Sequence, residues 1–178
     1  MNWKYRVWQF WNALVSQPDQ QDYSVVERIL PAELKALFYQ MSKAEQAHSI
    51  RVCKTLIADG ENEIDLLAAA LLHDIGKTLY PLKLWERIWI VLWKVRNGER
   101  ERGSCRVPWD EINQYPWWRR AMIVADNHAE WGAQLLRQYP VSSRLIWLVQ
   151  YHQEYPQDRN NEEEKYLLEK LRRVDNKC

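Results

Sequence analysis

An apolar segment near the middle of the chain restricts the fold more than any other feature of the sequence. From Ile64 to Leu72 the residues are isoleucine, leucine and alanine, with Asp65 as the single charge. A helix of this composition has no polar face, so it must lie buried at the centre of a domain. We therefore predict a fold arranged around this helix. We expect the helix to end at Gly76, where the glycine lets the chain turn away sharply.

The rest of the chain shows helical rather than strand periodicity. No segment has a sustained alternation of apolar and polar residues between hairpin signals. Five glycines and seven prolines also leave little material for the many tight turns of an all-β fold. The pattern predicts an all-α fold with a left-handed cap at Gly60 and with helices near residues 3–14, 25–30, 32–41, 43–59, 64–76, 82–96, 117–138, 142–153 and 162–174.

The length of 178 residues fits one domain that buries its own core. We divide the chain into an N-terminal helical extension, residues 1–40, packed on a main domain, residues 41–178. A polar loop of mixed charge from Asn97 to Asp110 is the best candidate for a mobile segment over a site.

Charge and cysteine usage exclude some classes of function. The 25 basic and 24 acidic residues give a net charge of +1, so nothing electrostatic favours a nucleic-acid partner. The three cysteines (Cys53, Cys105 and Cys178) form no CxxC pair and are typical of free thiols in a reducing cytosol. We expect no signal peptide, because charged residues interrupt the opening segment, and no membrane span, because no apolar run approaches about 18 residues. We therefore expect a cytoplasmic protein, with attachment to a membrane surface as an alternative placement.

The four histidines carry the functional argument: His48, His73, His128 and His152. Each falls on a predicted helix, one turn from apolar neighbours. Any one of them alone is best explained as a core histidine with a hydrogen-bond partner. Burying four unrelated imidazoles is costly, however, and a metal centre that includes the carboxylate of Asp74 is one partner they can share.

The direct succession of His73 and Asp74 adds a geometric constraint. Neighbouring residues on a helix point about 100° apart, so both can reach one ion only in a concave pocket. The end of a buried helix provides such a pocket because other helices can supply ligands there. Lys77 then brings a cation beside the centre, which suits an anionic substrate oxygen.

The string HDIGK, with an upstream histidine in EQAHSIRV, resembles the HD superfamily of metal-dependent phosphohydrolases. NHAEWGAQLL and YHQE resemble the third and fourth histidine motifs of its dinuclear members, and LRRVD resembles the closing helix. The resemblance covers roughly residues 40–176 and implies an HD-type helical bundle. It also implies one metal held by His48, His73, Asp74 and Asp175, and a second metal bridged by Asp74 and held by His128 and His152. Asp126 is the rival to Asp175.

The activity that the resemblance implies is hydrolysis of a small phosphorylated substrate by a water activated between two divalent ions. The ligand types do not distinguish Fe, Mn, Co, Ni, Zn or Mg. Lys77 and Arg51 would neutralise charge on the transferred phosphoryl group, although a surface salt bridge explains Arg51 equally well. Gln153 follows His152 without the second histidine and the Gly-Tyr-Pro string of the cyclic-dinucleotide branch. Cyclic di-guanylate is therefore not the expected substrate.

Three other functions compete with hydrolysis. The same ligands support iron in HD-type oxygenases, and a signalling or binding module can keep the fold without turnover. The third rests on the segment 82–96, where Trp85, Trp89 and Trp93 recur every four residues among basic side chains. Such a helix suits a membrane surface, and core or dimer contacts are the commoner explanation. The sequence leaves the oligomeric state open.

Overall fold

The computed structural model describes residues 18–97, 106–154 and 161–178 and is all-α throughout these ranges. Short 3-10 segments lie at Gln20–Tyr23, Ile75–Leu79 and Trp109–Gln114. The α-helices are α1 (Ser24–Ile29), α2 (Ala32–Phe38), α3 (Lys43–Ala58), α4 (Ile64–Leu72), α5 (Leu84–Asn97), α6 (Trp117–Leu136), α7 (Ser143–Tyr151) and α8 (Glu162–Asp175).

Helix α4 is the central helix, as its composition predicts. Every residue from Leu66 to Leu72 is buried. Helices α1, α3, α7 and α8 all pack against it and contribute to one large core. Each fully buried leucine in such a core stabilises the fold by roughly 1.5–3 kcal/mol relative to an exposed one. This burial fixes the end of α4, and therefore His73 and Asp74, at the middle of the domain.

The ends of α3 follow local sequence signals. Ser42 and Glu45 form a reciprocal capping box at its start, with each side chain accepting from the backbone N–H of the other. At its end Gly60 has φ +90°, and the Glu61 amide donates to the carbonyl of Leu56. The prediction of a left-handed cap at Gly60 is confirmed.

The described part of the predicted N-terminal extension shares the main core. Val25 and Val26 of α1 and Leu34 and Phe38 of α2 are buried together with residues of α4 and α7. Residues of α1 and α2 therefore contribute to the same core as the main domain. The predicted opening helix, with Trp3, Val7, Phe10, Trp11 and Leu14, lies outside the described residues.

The prediction that the central helix runs to Gly76 and turns sharply there is wrong. Helix α4 ends at Leu72, and residues Ile75–Leu79 continue as a 3-10 segment. Among the described glycines only Gly60 has a positive φ, so Gly76 does not supply a left-handed turn. Its role is steric, because a Cβ at Gly76 would lie 2.0 Å from the carbonyl oxygen of His128 and 2.6 Å from the nitrogen of Gly132. The 3-10 segment thus packs directly on the backbone of α6.

The predicted loop of residues 97–110 is described only at its ends. Residues 98–105 lie outside the described ranges, and the 3-10 segment already begins at Trp109. Val107 is buried against α6, where its amide donates to Asn127 Oδ1 (3.1 Å) and its carbonyl accepts from Trp131 Nε1 (2.9 Å). The end of the predicted mobile segment is therefore anchored on the helix that carries His128.

Helix α5 contacts both α3 and α6 at the edge of the domain. Arg87 Nη2 lies 2.7 Å from Oε1 of the buried Glu45 on α3, and Trp85 and Trp89 contact Trp117 at the start of α6. No helix within the described ranges has the combined length and apolar character that crossing a bilayer requires.

Candidate metal centre

The six predicted metal-binding side chains come from five helices. His48 lies within α3, and His73 and Asp74 directly follow α4. His128 lies in the middle of α6, His152 directly follows α7, and Asp175 is the last residue of α8. The structure brings these side chains together in two adjacent groups of three.

The first group consists of His48, His73 and Asp175. Asp175 Oδ1 lies 2.8 Å from His48 Nε2 and 3.4 Å from His73 Nε2. The end of α8 is not frayed away from the domain, because Leu171 and Val174 are buried in the core just before it. This packing holds the carboxylate beside the two imidazoles.

The second group consists of Asp74, His128 and His152, all of them buried. Asp74 Oδ1 lies 3.3 Å from His128 Nε2, and one ligand atom from each of the three residues lies within 4.8 Å of the others. The close packing of Gly76 on α6 brings the Asp74 segment this near to His128.

Asp74 faces both groups with different oxygen atoms. Its Oδ1 faces His128, while its Oδ2 lies 3.7 Å from His73 Nε2 in the first group. The rings of His73 and His152 are also adjacent, with centroids 5.0 Å apart. Because the groups meet at one carboxylate, they can form a single dinuclear centre rather than two separate sites.

Backbone hydrogen bonds orient three of the imidazoles. Nδ1 of His73 lies 3.0 Å from the Ala70 carbonyl, and Nδ1 of His128 and His152 contacts carbonyls one turn back in the same way. A carbonyl oxygen only accepts, so each Nδ1 carries its proton and donates it. The remaining nitrogen of each ring, Nε2, therefore points into the centre and is the atom that can hold a metal.

Burial and neighbouring charges shift the pKa values of His73, Asp74 and Asp175 in opposite directions. Burial lowers the pKa of His73, but the carboxylates of Asp74 and Asp175 outweigh this effect and raise the pKa to about 9. Burial raises the pKa of Asp74, yet Lys77, His73 and His128 hold that pKa well below its usual range. The pKa of Asp175 is likewise held low, by His73 and His48, against the effect of burial. The centre therefore has two buried carboxylates that require nearby cations.

The second group supplies neutral imidazoles. Burial lowers the pKa of His152 to about 3 and also lowers the pKa of His128. His152 Nε2 is buried and has no hydrogen-bond partner in the structure. A buried, unpaired acceptor beside a carboxylate is costly unless it binds something. This orphaned nitrogen shows that the residues present fit a metal ion.

The two predicted cationic residues lie in different surroundings. Lys77 Nζ lies 2.6 Å from Asp74 Oδ2 and is partly accessible to solvent, so it stands beside the centre as predicted. Arg51 donates from Nη1 to the backbone carbonyl of Cys178, at 3.0 Å. This hydrogen bond directs the guanidinium towards the end of the chain, three residues beyond Asp175.

Asp126 is not the closing carboxylate in this structure. It is exposed on α6, while Asp175 belongs to the first group. His128 follows Asp126 by two positions, and on a helix that spacing rotates a side chain by about 200°, away from the face that His128 occupies.

Gln153 is a site residue that the sequence analysis did not assign. Its Nε2 lies 2.8 Å from His128 Nε2, which has the geometry of an amide donating to the free imidazole nitrogen. The signal was its position directly after His152. That position does not predict the contact, because a contact with a residue 25 positions away depends on tertiary packing.

The comparisons with known proteins add no assignment: no family model, no curated protein and no solved structure matches this chain.

Proposed function

We propose that this chain is a metal-dependent phosphohydrolase of the HD type that its motifs resemble. The observation that carries the proposal is the meeting of two groups of nitrogen and oxygen ligands at Asp74, with the unpaired nitrogen of His152 among them. Four imidazoles and two carboxylates suit first-row divalent metals. A pair of such ions, when bound, supplies Lewis acidity and lowers the pKa of a coordinated water to near neutrality.

The protein's own residues prepare the centre for an anionic substrate. Nearby cations keep Asp74 and Asp175 ionised despite their burial, and backbone carbonyls hold the rings of His73, His128 and His152 with Nε2 towards the centre. Lys77 adds a positive charge at the accessible edge. A phosphate oxygen that approaches Asp74 therefore meets the ammonium group first, which both attracts and orients it.

Elemental analysis is the direct test of the centre. We expect close to two divalent ions per chain in protein purified without added metal or chelator, because each group of three ligands can hold one ion. Dialysis against a chelator should abolish phosphate release from a panel of phosphomonoesters and phosphodiesters, and one of Mn, Co, Ni, Zn or Fe should restore it. A chain that binds no metal after reconstitution contradicts the proposal. Bound iron with oxygen consumption and without phosphate release would favour the oxygenase alternative instead.

Replacing Lys77 with methionine should separate substrate binding from metal binding. We expect metal content to remain near that of wild type, because Lys77 contacts Asp74 but supplies no ligand to the centre. Phosphate release should fall by about a hundredfold, the usual effect of removing one group that stabilises transition-state charge. The matched control is Lys35→Met, which removes a lysine whose partner, Glu27, lies on the surface. Equal activity in both variants would exclude a role for Lys77 in the reaction.

A further inference from the structure

Two helices combine to expose a contiguous aromatic surface at one edge of the domain. We define it by its four exposed residues, Leu84 and Trp85 of α5 and Trp117 and Trp118 of α6. The rings of Trp85 and Trp117 meet edge to face with centroids 4.5 Å apart. Trp89 lies behind them, with its ring 5.7 Å from that of Trp117. The exposed indole of Trp117 therefore packs against two other indole rings, one from each of two turns of α5.

The exposure of these side chains is large for residues of their type. Trp85, Trp117 and Trp118 are 44%, 42% and 44% accessible, and Leu84 is 54% accessible. Contiguous apolar surface of this kind is uncommon on monomeric proteins and marks an interaction site. The chain also has eleven tryptophans against two phenylalanines. Indole, with an apolar body and a polar N–H, is the aromatic group that favours the boundary between lipid and water.

The charge around the aromatic surface is positive. Residues 82–97 and 116–120 contain one acidic residue, Glu86, and six basic ones: Lys83, Arg87, Lys94, Arg96, Arg119 and Arg120. Glu86 is buried, and its carboxylate accepts from the backbone amide of Lys83. Lys83 and Arg119 are exposed. Arg87 is paired with the buried Glu45, so the exposed charges described on these two segments are those of Lys83 and Arg119, both of them basic.

The positive charge of this surface favours an anionic membrane over a second copy of the chain as its partner. Two copies of the chain that met through the surface about a two-fold axis would bring the same positive charges together. An anionic bilayer instead attracts lysine and arginine while indole and leucine enter the headgroup region. We propose that the aromatic surface docks the protein on an anionic phospholipid membrane. The inference does not depend on the proposed hydrolysis.

The aromatic surface lies at a set distance from the candidate metal centre. Helix α6 begins at Trp117 in the aromatic surface and carries His128 eleven residues later. At 1.5 Å per residue, the two positions are about 16 Å apart along the helix. In a docked domain this helix would therefore set the distance between the aromatic surface and the candidate metal centre.

Sedimentation with vesicles tests the proposal. The full chain should bind vesicles of phosphatidylcholine with phosphatidylglycerol, and much less to vesicles of phosphatidylcholine alone. Combined Trp85→Ser, Trp117→Ser and Trp118→Ser should weaken binding more than about tenfold. The control, Tyr39→Ser with Tyr166→Ser, removes two aromatic side chains of similar exposure on α2 and α8 and should leave binding unchanged.

A charge variant keeps the test valid if the tryptophan variant is unstable. Lys83→Glu with Arg119→Glu changes exposed residues and should weaken binding to the anionic vesicles more than about tenfold, because it replaces two positive charges near the lipid surface with two negative ones. Failure of wild type to bind at low salt would overturn the proposal, as would equal binding by a well-folded triple variant. A concentration-dependent dimer in sedimentation equilibrium, lost in the triple variant and without vesicle binding, would assign the surface to self-association.

Discussion

Replacing Asp74 with alanine is expected to remove metal retention and phosphate release together, while most of the helical content survives. The carboxylate serves both groups of ligands, with Oδ1 3.3 Å from His128 Nε2 and Oδ2 3.7 Å from His73 Nε2. Its loss would remove a carboxylate oxygen from each group of ligands and leave Lys77 without its partner. We expect activity to fall by at least about a thousandfold. Elemental analysis, phosphate release and far-UV circular dichroism on the same preparation measure the three quantities.

Asp126→Ala is the matched control for this variant. Asp126 is the carboxylate that the sequence left as a rival ligand, but it is exposed on α6, on the helix that also carries His128. The control should keep its metal and its activity. If Asp74→Ala keeps full activity, or if Asp126→Ala loses its metal, the assigned centre is wrong.

Most of the helices could be predicted from the sequence because they depend on local signals. The composition of α4 dictates that it is buried, and Ser42 and Gly60 mark the ends of α3. Each histidine lies one turn from apolar neighbours, which is enough to direct it inward. These features depend on residues within one or two helical turns, so the sequence is sufficient to predict them.

The choice among candidate partners could not be made from the sequence. Asp175 and Asp126 are both acidic residues on helices, and only the docking of α8 beside α3 brings Asp175 within 2.8 Å of His48. Arg51 lies one turn from His48 but donates to a carbonyl 127 residues away. Gln153 contacts the nitrogen of His128. Such pairings depend on how helices pack, and a spacing rule carries no information about packing.

The steric role of Gly76 could not be predicted for the same reason. A glycine after a helix usually supplies a left-handed cap, and that rule holds at Gly60. At Gly76 φ is not positive. The residue is a glycine there because a side chain would prevent the 3-10 segment from packing against α6. The contact is with the backbone of α6, at the carbonyl of His128 and the nitrogen of Gly132. Backbone atoms cannot move aside as the end of a flexible side chain can.

Gly76→Ala should therefore damage both stability and the metal centre. A Cβ placed 2.0 Å from the His128 carbonyl oxygen must separate the 3-10 segment from α6, and Asp74 moves with that segment. We expect a loss of about 3 kcal/mol in the free energy of unfolding, which corresponds to a melting temperature lower by about 10 °C. Metal retention should fall as well, because the distance from Asp74 to His128 grows.

Alanine substitutions at two other glycines provide comparisons for Gly76→Ala. At Gly132 an added Cβ would meet Cγ2 of Ile75 at 3.1 Å and the backbone nitrogen of Gly76 at 3.2 Å. These contacts need shifts of only a few tenths of an ångström, so Gly132→Ala should be milder than Gly76→Ala. Gly60→Ala meets no atom within 4 Å and carries only the strain of a positive φ, about 1–2 kcal/mol. It should destabilise the chain yet leave metal binding untouched, since Gly60 lies outside both groups of ligands. Metal loss in Gly76→Ala but not in Gly60→Ala would separate the close approach at His128 from general destabilisation, and equal retention in both would show that this approach does not position Asp74.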